Sequence, residues 1–152
     1  MGRYRTGSCI VAFDFDGTLV TGGAPSKEVE FFVLKPDTDD MLHFLYSKGV
    51  SLILWTCRTG AALERALEFL KGEKLLDCFT AINANVPGLD FTTSNKIYAD
   101  YYVDDLAYGW HWNKHSRWLP LMELLERDRF FDPKGIMSPG HLQHAYLSYL
   151  RL

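Results

Sequence analysis

Cys9-Ile10-Val11-Ala12-Phe13-Asp14-Phe15-Asp16-Gly17-Thr18 is the stretch from which the rest of the chain is read. The apolar run Cys9 to Phe13 meets two acids, so residues 9–14 are expected to form a buried strand that ends where the acids begin. Asp14 and Asp16 are two positions apart, and an extended backbone points both side chains to the same side. Gly17 then lets the chain turn sharply. Two carboxylates on one side of a strand end can hold a divalent cation and act on what that cation holds. Acids and glycine are also ordinary turn residues after a strand, so the pair takes its meaning from the surrounding pattern.

That pattern alternates. Thr21-Gly22-Gly23-Ala24-Pro25-Ser26 reads as a loop or hairpin turn, and Glu30 to Leu34 as a short strand. A helix is expected from Asp37 or Thr38, one of which caps it. It places Met41, Leu42, Leu45 and Tyr46 on one face and stops at Lys48-Gly49. Val50 to Thr56 reads as a second buried strand. Thr59-Gly60 opens a helix with Leu63, Ala66, Leu67 and Leu70 at helical spacing and Gly72 near its end. Phe79 to Ala84 and Ile97 to Val103 are the third and fourth strands, separated by a loop over residues 85–95. Pro120 to Arg129 and Pro139 to Leu150 read as helices, the last carrying Leu142, Ala145, Tyr146 and Tyr149. Strands alternating with amphipathic helices predict an α/β, Rossmann-like domain with a mainly parallel sheet and helices on both faces. In such sheets ligands bind beyond the carboxyl ends of the strands. The polar clusters fall there repeatedly: Asp14 and Asp16 after strand one, Thr56 after strand two, Asp104-Asp105 after strand four.

Composition narrows the function classes. The chain has 152 residues, 47% hydrophobic and 23% charged, which suits one soluble domain with a real core. The net charge of −3 and the lack of a Lys/Arg run argue against a protein that binds nucleic acid by neutralising phosphates. No apolar run approaches a membrane span, and the run after Met1 to Ser8 is too short for a signal-peptide core. A cytoplasmic protein without membrane attachment is therefore expected. Cys9, Cys57 and Cys78 lack metal-ligand spacing and are expected to be reduced and buried. The Cys-x₅-Arg loop of a cysteine phosphatase is absent, because Arg58 directly follows Cys57. A GxxxxGK[ST] nucleotide loop is also absent.

Taken in order, Asp14-x-Asp16-Gly17-Thr18, Thr56, Lys96 and Asp104-Asp105 resemble the four motifs of the haloacid dehalogenase-like superfamily of phosphohydrolases. The resemblance spans Cys9 to Asp105. It implies a phosphatase that works through an aspartyl-phosphate formed on Asp14, with Asp16 as general acid and then general base. The Thr56 hydroxyl and the amides around Asp16 to Gly17 and Cys57 would bind the phosphoryl oxygens, and Lys96 would add a fixed positive charge beside Asp14. Mg²⁺ is the implied cofactor, held by the Asp14 carboxylate, the Asp16 carbonyl oxygen and Asp105, with Asp104 supporting the water shell or orienting Lys96. Which acid of the pair ligates directly is left open. Arg58 has two readings, a substrate contact or a surface ion pair. Alone, Thr56 is also a β-favouring residue, Lys96 a solvated loop lysine and Asp104-Asp105 a strand-exit turn. Together they would have to coincide at one edge of one sheet.

Many members of that superfamily carry a cap domain over the site. Only Leu19 to Lys35 separate the first motif from the next helix, and residues 60–95 hold one helix, one strand and a loop. Neither gap fits a folded domain, so a capless form with one domain over 1–152 is expected: a core over about 9–106 and an aromatic-rich helical extension over about 107–152. An open site is compatible with a phosphorylated small molecule or macromolecule, and with a homo-oligomer whose neighbour shields the site. Tyr108, Trp110, His111, Trp112, His115 and Trp118 are candidates for its rim or for packing. The histidines show no ligand pattern, and none is assigned to catalysis. Two other readings stand beside the phosphatase. One is a catalytically retired relative that binds phosphate or a partner. The other is a phosphoacceptor domain, whose acidic pair would come first in the chain rather than last.

Overall fold

The computed structural model describes residues 9–21, 30–89, 94–107, 118–127 and 140–151. Its centre is β1 (Ile10–Phe13), whose four side chains are all buried. Strands buried on both faces carry continuous apolar runs, and β1 has neighbours on both edges. It pairs in parallel with β4 (Ser51–Leu54) on one side and β6 (Tyr101–Val103) on the other. β5 (Phe79–Ile82) lies outside β4, also parallel, giving the order β5-β4-β1-β6. Phe13 stands level with Leu54 and Val103, so three strands end together at the edge where the acids begin. This is an α/β, Rossmann-like sheet with helices packed against it, and no cap domain occurs among the described residues.

A parallel crossover is right-handed. The steps β1 to β4, through α1 (Thr38–Ser47), and β4 to β5, through α2 (Gly60–Gly72), run the same way across the sheet. Both helices therefore land on one face. There Val11, Phe13, Leu52 and Leu54 pack with Met41, Leu42, Phe44 and Leu45 of α1 and with Ala66 and Leu70 of α2. Leu121, Met122 and Leu125 of α3 (Leu119–Glu126) and Leu142 and Tyr146 of α4 (His141–Leu150) join the same cluster. The step from β5 to β6 reverses direction and crosses the other face. That face, with Ile10, Ala12 and Ile53, is covered by Val86, Leu89, Ile97 and Ala99. Helices were expected on both faces; among the described residues the returning segment covers this one without a helix.

The returning segment also shortens the fourth strand from the expected Ile97–Val103 to Tyr101–Val103. Side chains satisfy most of its backbone, and among the described residues only the Asp100 N–H reaches a strand, donating to Ile10 O of β1 at 2.8 Å. Asn85 Oδ1 accepts the Tyr98 N–H at 2.6 Å, and the Tyr102 hydroxyl donates to the Ile97 carbonyl and accepts the Ala99 N–H. Asp100 Oδ2 accepts the first N–H of β1, that of Ile10, at 2.8 Å. Backbone groups paired this way have no need of a ladder.

Two helix ends show local and tertiary control. After α1, the Gly49 N–H donates to Tyr46 O and the Val50 N–H to Leu45 O, the paired bonds of a Schellman ending with glycine in the left-handed position. After α2 the same pair of bonds is made by Lys74 and Leu75. The left-handed residue there is Lys74 (φ 60°), while Gly72 remains inside the helix. The expected Asp37 cap stands at the right position, with φ 64° and no side-chain capping bond. Tyr46, expected on the buried face of α1, is 57% exposed. Phe44 takes that place because α4 lies against it, with its ring 5.3 Å from Tyr146 and 5.4 Å from Tyr149. Glu126 of α3 accepts the Gly140 and Leu142 N–H groups at the start of α4, which serves amides that a helix cannot pair internally.

Between β1 and α1, β2 (Val20–Thr21) and β3 (Val33–Leu34) form a two-stranded antiparallel hairpin arm. Only Val33 and Leu34 of the expected Glu30–Leu34 strand are extended in this pairing. Phe32 instead packs edge-on against Phe15 at 5.2 Å and beside Phe69 of α2 at 5.3 Å.

Candidate active site at the carboxyl edge of the sheet

The strand order reverses direction between β1 and β6: the chain leaves β1 towards β4 and returns to pair on its other side. A crevice opens at such a switch point, outside the carboxyl ends of the strands. Asp14 and Asp104 are the first residues beyond those two strands, and the Asp14 N–H donates to Val103 O at 2.9 Å. Asp14, Asp104 and Asp105 each offer a carboxylate oxygen, and these oxygens lie within 4.8 Å of one another. All three side chains are half-buried. Burial, and then the negative charge of Asp104, push the Asp14 carboxyl up to about 7; both effects disfavour its charged form.

Thr18 organises this group, a role that its place at the end of the first motif did not reveal. It is fully buried. Its hydroxyl accepts the Asp105 N–H at 2.9 Å and lies 3.1 Å from Asp14 Oδ2 and 3.3 Å from Asp105 Oδ1. One hydroxyl hydrogen serves one of those oxygens at a time, so Thr18 ties the two strand ends together whichever it chooses. Gly17 is required beside it. Its φ is +80°, and a Cβ there would stand 2.4 Å from Asp105 Oδ2. The Gly17 N–H donates to Val20 O at 3.0 Å. Of the amides expected to receive phosphate, this one is already committed inside the turn.

Asp16 leaves its neighbour's group. β1 ends at Phe13, and the turn through Gly17 breaks the extended geometry that would hold the two acids alike. The Asp16 carboxylate faces Arg58 instead, accepting Nε–H at Oδ2 (2.7 Å) and Nη2–H at Oδ1 (2.8 Å). Arg58 is 1% exposed. The guanidinium itself is buried, which removes the surface-pair reading, and its ion pairs extend from the partly exposed Asp16 to the buried Glu30, which also accepts from Arg65 Nε at 2.9 Å. The Arg58 hydrogen bond, then that of Arg65, holds the Glu30 carboxyl down at about 2 against the opposing cost of burial. The Asp16 bond, then the Glu30 bond, raises the Arg58 guanidinium further above its already high value. Glu30 carried no motif and was missed; its position beyond a glycine-rich stretch is the only local signal.

The loop after β4 continues the parallel ladder by one bond, from the Trp55 N–H to Phe13 O. Thr56 follows, half-buried at the same edge. Its N–H donates to Asn83 Oδ1 at 2.8 Å, and its hydroxyl accepts the Arg58 N–H at 3.1 Å. Asn83 (φ 51°) closes the end of β5 and was not anticipated, although asparagine tolerates that left-handed conformation. Cys57 is exposed, a correction to the expectation of buried thiols; Cys9 and Cys78 are buried, and all three are free. Lys96 is exposed, with its ammonium 5.2 Å from the Tyr102 ring centroid, and it makes no ion pair among the described residues. The expected place beside Asp14 is thus not where its contacts lie. Lys35, from the hairpin arm, donates its ammonium to the Gly17 carbonyl and was not singled out. Trp118 is buried with its ring 5.9 Å from Phe13, so it is core. Tyr108, Trp110, His111, Trp112 and His115 lie outside the described residues.

Comparison with known proteins supports the fold. A solved structure of a conserved protein from Bacteroides thetaiotaomicron superposes with a TM-score of 0.64 and 27% identity, covering 84% of this chain and 98% of that one. No protein-family model matches the chain, and no curated protein matches it. No helix among the described residues is long and apolar enough to cross a membrane.

Proposed function

We propose that the chain is a capless, haloacid dehalogenase-like phosphatase that hydrolyses a phosphomonoester through an aspartyl-phosphate on Asp14. One observation carries the reading: three half-buried carboxylates converge within 4.8 Å at the switch point of a parallel sheet. Such a group is self-repelling until a cation sits in it, and an oxygen-only donor set fits Mg²⁺. Mg²⁺ held by Asp14 with Asp104 and Asp105 would supply the charge neutralisation that phosphoryl transfer needs.

The chain's own residues supply the remainder. An Asp14 oxygen forms a bond to phosphorus as the bond from phosphorus to the leaving oxygen breaks. Asp16 gives that oxygen a proton. In the second half, water attacks the phosphoaspartate, Asp16 takes the proton back, and Asp14 and inorganic phosphate are released. Thr18 holds Asp14 against Asp105 throughout. Thr56 stands at the neighbouring strand end, and Lys35 brings a positive charge to the Gly17 carbonyl. A cytoplasmic setting belongs to this proposal, and three free thiols support it.

The test is hydrolysis of a panel of sugar phosphates, nucleotides and phosphopeptides with and without Mg²⁺, beside acid-quenched trapping of phosphate on the protein. Mg²⁺-dependent turnover with label on Asp14 supports the reading. The rival is a retired relative that only binds phosphate or a partner, favoured by the hold of Arg58 on Asp16. Normal Mg²⁺ binding without turnover or label would select it.

A further inference from the structure

We propose that Asn83 and Trp55 form a subsite for the leaving part of the substrate, built for a flat ring that carries a carbonyl oxygen, as a nucleobase does. The inference rests on the reading of Asp14 as the place of the phosphate, and it deepens that reading to a substrate class.

The register of the sheet sets the layout. Phe13 pairs with Leu54 and with Val103, and Leu54 pairs with Ile82. One residue further along, Asp104, Asp14, Trp55 and Asn83 stand in one row across the four strand ends. Three backbone bonds carry the ladder to that row: Asp14 N–H to Val103 O, Trp55 N–H to Phe13 O and Asn83 N–H to Leu54 O. Neighbouring strands lie about 4.8 Å apart, so Asn83 stands about 10 Å from Asp14, with Trp55 between them.

The acids occupy one end of the row and neutral donors the other. Asn83 Oδ1 accepts the Thr56 N–H at 2.8 Å. A backbone N–H only donates, so this bond fixes which edge of the amide is oxygen. The Nδ2 edge is turned the other way. It meets no acceptor among the described residues, and it is not sealed from solvent. The same holds for the Trp55 indole N–H. Trp55 is half-buried and packs against the cluster of Ile10, Ala12 and Ile53. A half-buried indole offers a surface on which a flat ring can stack.

Donors without a nearby acceptor select their ligand. A carbonyl oxygen brings lone pairs and no proton of its own to place, whereas a hydroxyl brings both. A second phosphate would call for a cation. Arg58, two residues past Thr56, does not supply it. Its five N–H groups go to Asp16, to Glu30 and to the Ala62 carbonyl. No donor remains for substrate, which removes the direct-contact reading of Arg58. A neutral carbonyl on a ring therefore fits the Asn83 end. A phosphoryl group at Asp14 does not reach that far, and a pentose between phosphate and base bridges a gap of this size.

The experiment compares uridine 5′-monophosphate with ribose 5-phosphate, the same ester without the base, on the whole protein with Mg²⁺. Wild-type kcat/KM should favour the nucleotide by about 10-fold or more. Asn83→Asp keeps an oxygen for the Thr56 N–H and tolerates the left-handed φ of 51°, as asparagine does, but turns an acceptor towards the carbonyl. It should lower the ratio of the two kcat/KM values by about 10-fold or more. Trp55→Leu should lower the ratio by about 10-fold, through KM. Circular dichroism and thermal melting check that each variant folds, and Trp55→Leu carries the test should Asn83→Asp not fold. Calorimetric binding of the same two ligands gives a readout that needs no turnover. A wild-type ratio near one, or a ratio unmoved in the folded variants, overturns the subsite and leaves the phosphatase reading standing. Protein that hydrolyses neither ester, yet binds the nucleotide more tightly and loses that preference in the variants, retains the subsite and overturns the phosphatase reading. Protein that neither hydrolyses nor binds them overturns both.

Discussion

Two carboxylate centres lie close together in the chain and have opposite electrostatics. Around Asp14, three carboxylates face one another without an ion pair among the described residues, and burial pushes Asp14 up to about 7. Around Arg58, two carboxylates and two arginines neutralise each other, and Glu30 is held at about 2. The first centre is unstable on its own and suited to a ligand. The second is complete on its own and suited to holding a shape. Asp14 and Asp16 are two residues apart and belong to different centres.

The largest effect expected from breaking this contrast is on turnover. Asp14→Asn should lower Mg²⁺-dependent hydrolysis by at least about 10⁴-fold, as loss of a nucleophile does. The same change removes one of three repelling charges, so the melting temperature should hold or rise. A variant that both hydrolyses and melts early would erase the distinction between the centres.

The reverse pattern is expected at Arg58. Arg58→Met strands Asp16 and Glu30, and denaturant unfolding should show a loss of about 3–5 kcal/mol, as when one partner of a buried pair is removed. A cost within a few tenths would mean that the network is solvated.

pH separates the centres by sign, read as melting temperature with Mg²⁺ chelated. Glu30 is depressed from 4.5 to about 2, so its contribution is present above about 4.5 and lost as pH falls through about 2. Asp14 is raised from 3.8 to about 7. Its contribution is present below about 3.8 and lost as pH rises through about 7. Stability should therefore decline on both sides, and added Mg²⁺ should remove the decline on the upper side alone. An upper limb unmoved by Mg²⁺ would break the assignment of Asp14 as a ligand.

The smallest effect serves as the control. Lys74 holds a left-handed φ of 60° after α2, away from both centres. Lys74→Gly should stabilise by about 0.5–1 kcal/mol in denaturant melts, with turnover unchanged. A change in turnover there would show that the melts and the chemistry are not independent.

Much of the frame was legible in the residues. The apolar run to Phe13 and the helical spacing of Met41, Leu42 and Leu45 are local patterns, and local patterns report burial directly. The same logic misplaced Tyr46, because the buried stripe of α1 is drawn towards Phe44 by α4, far along the chain. It extended the last strand back to Ile97, because Asn85 and Tyr102 satisfy that backbone from outside any periodicity. At the site, the motif residues at the ends of β1 and β6 could be read in advance, whereas Lys96 could not be placed, since a lone lysine carries no direction.

The sequence by itself determined which residues stand at the carboxyl edge: hydrophobic period and strand ends are properties of neighbours in the chain. Only the tertiary structure decided what they face. Thr18 meets Asp105 across 87 positions, Asp16 meets Arg58 across 42, and Arg58 meets Glu30 across 28. Hydrogen bonds and ion pairs are short-ranged and directional, so partners that far apart in the chain are chosen by the crossing of strands and loops, which no local pattern records.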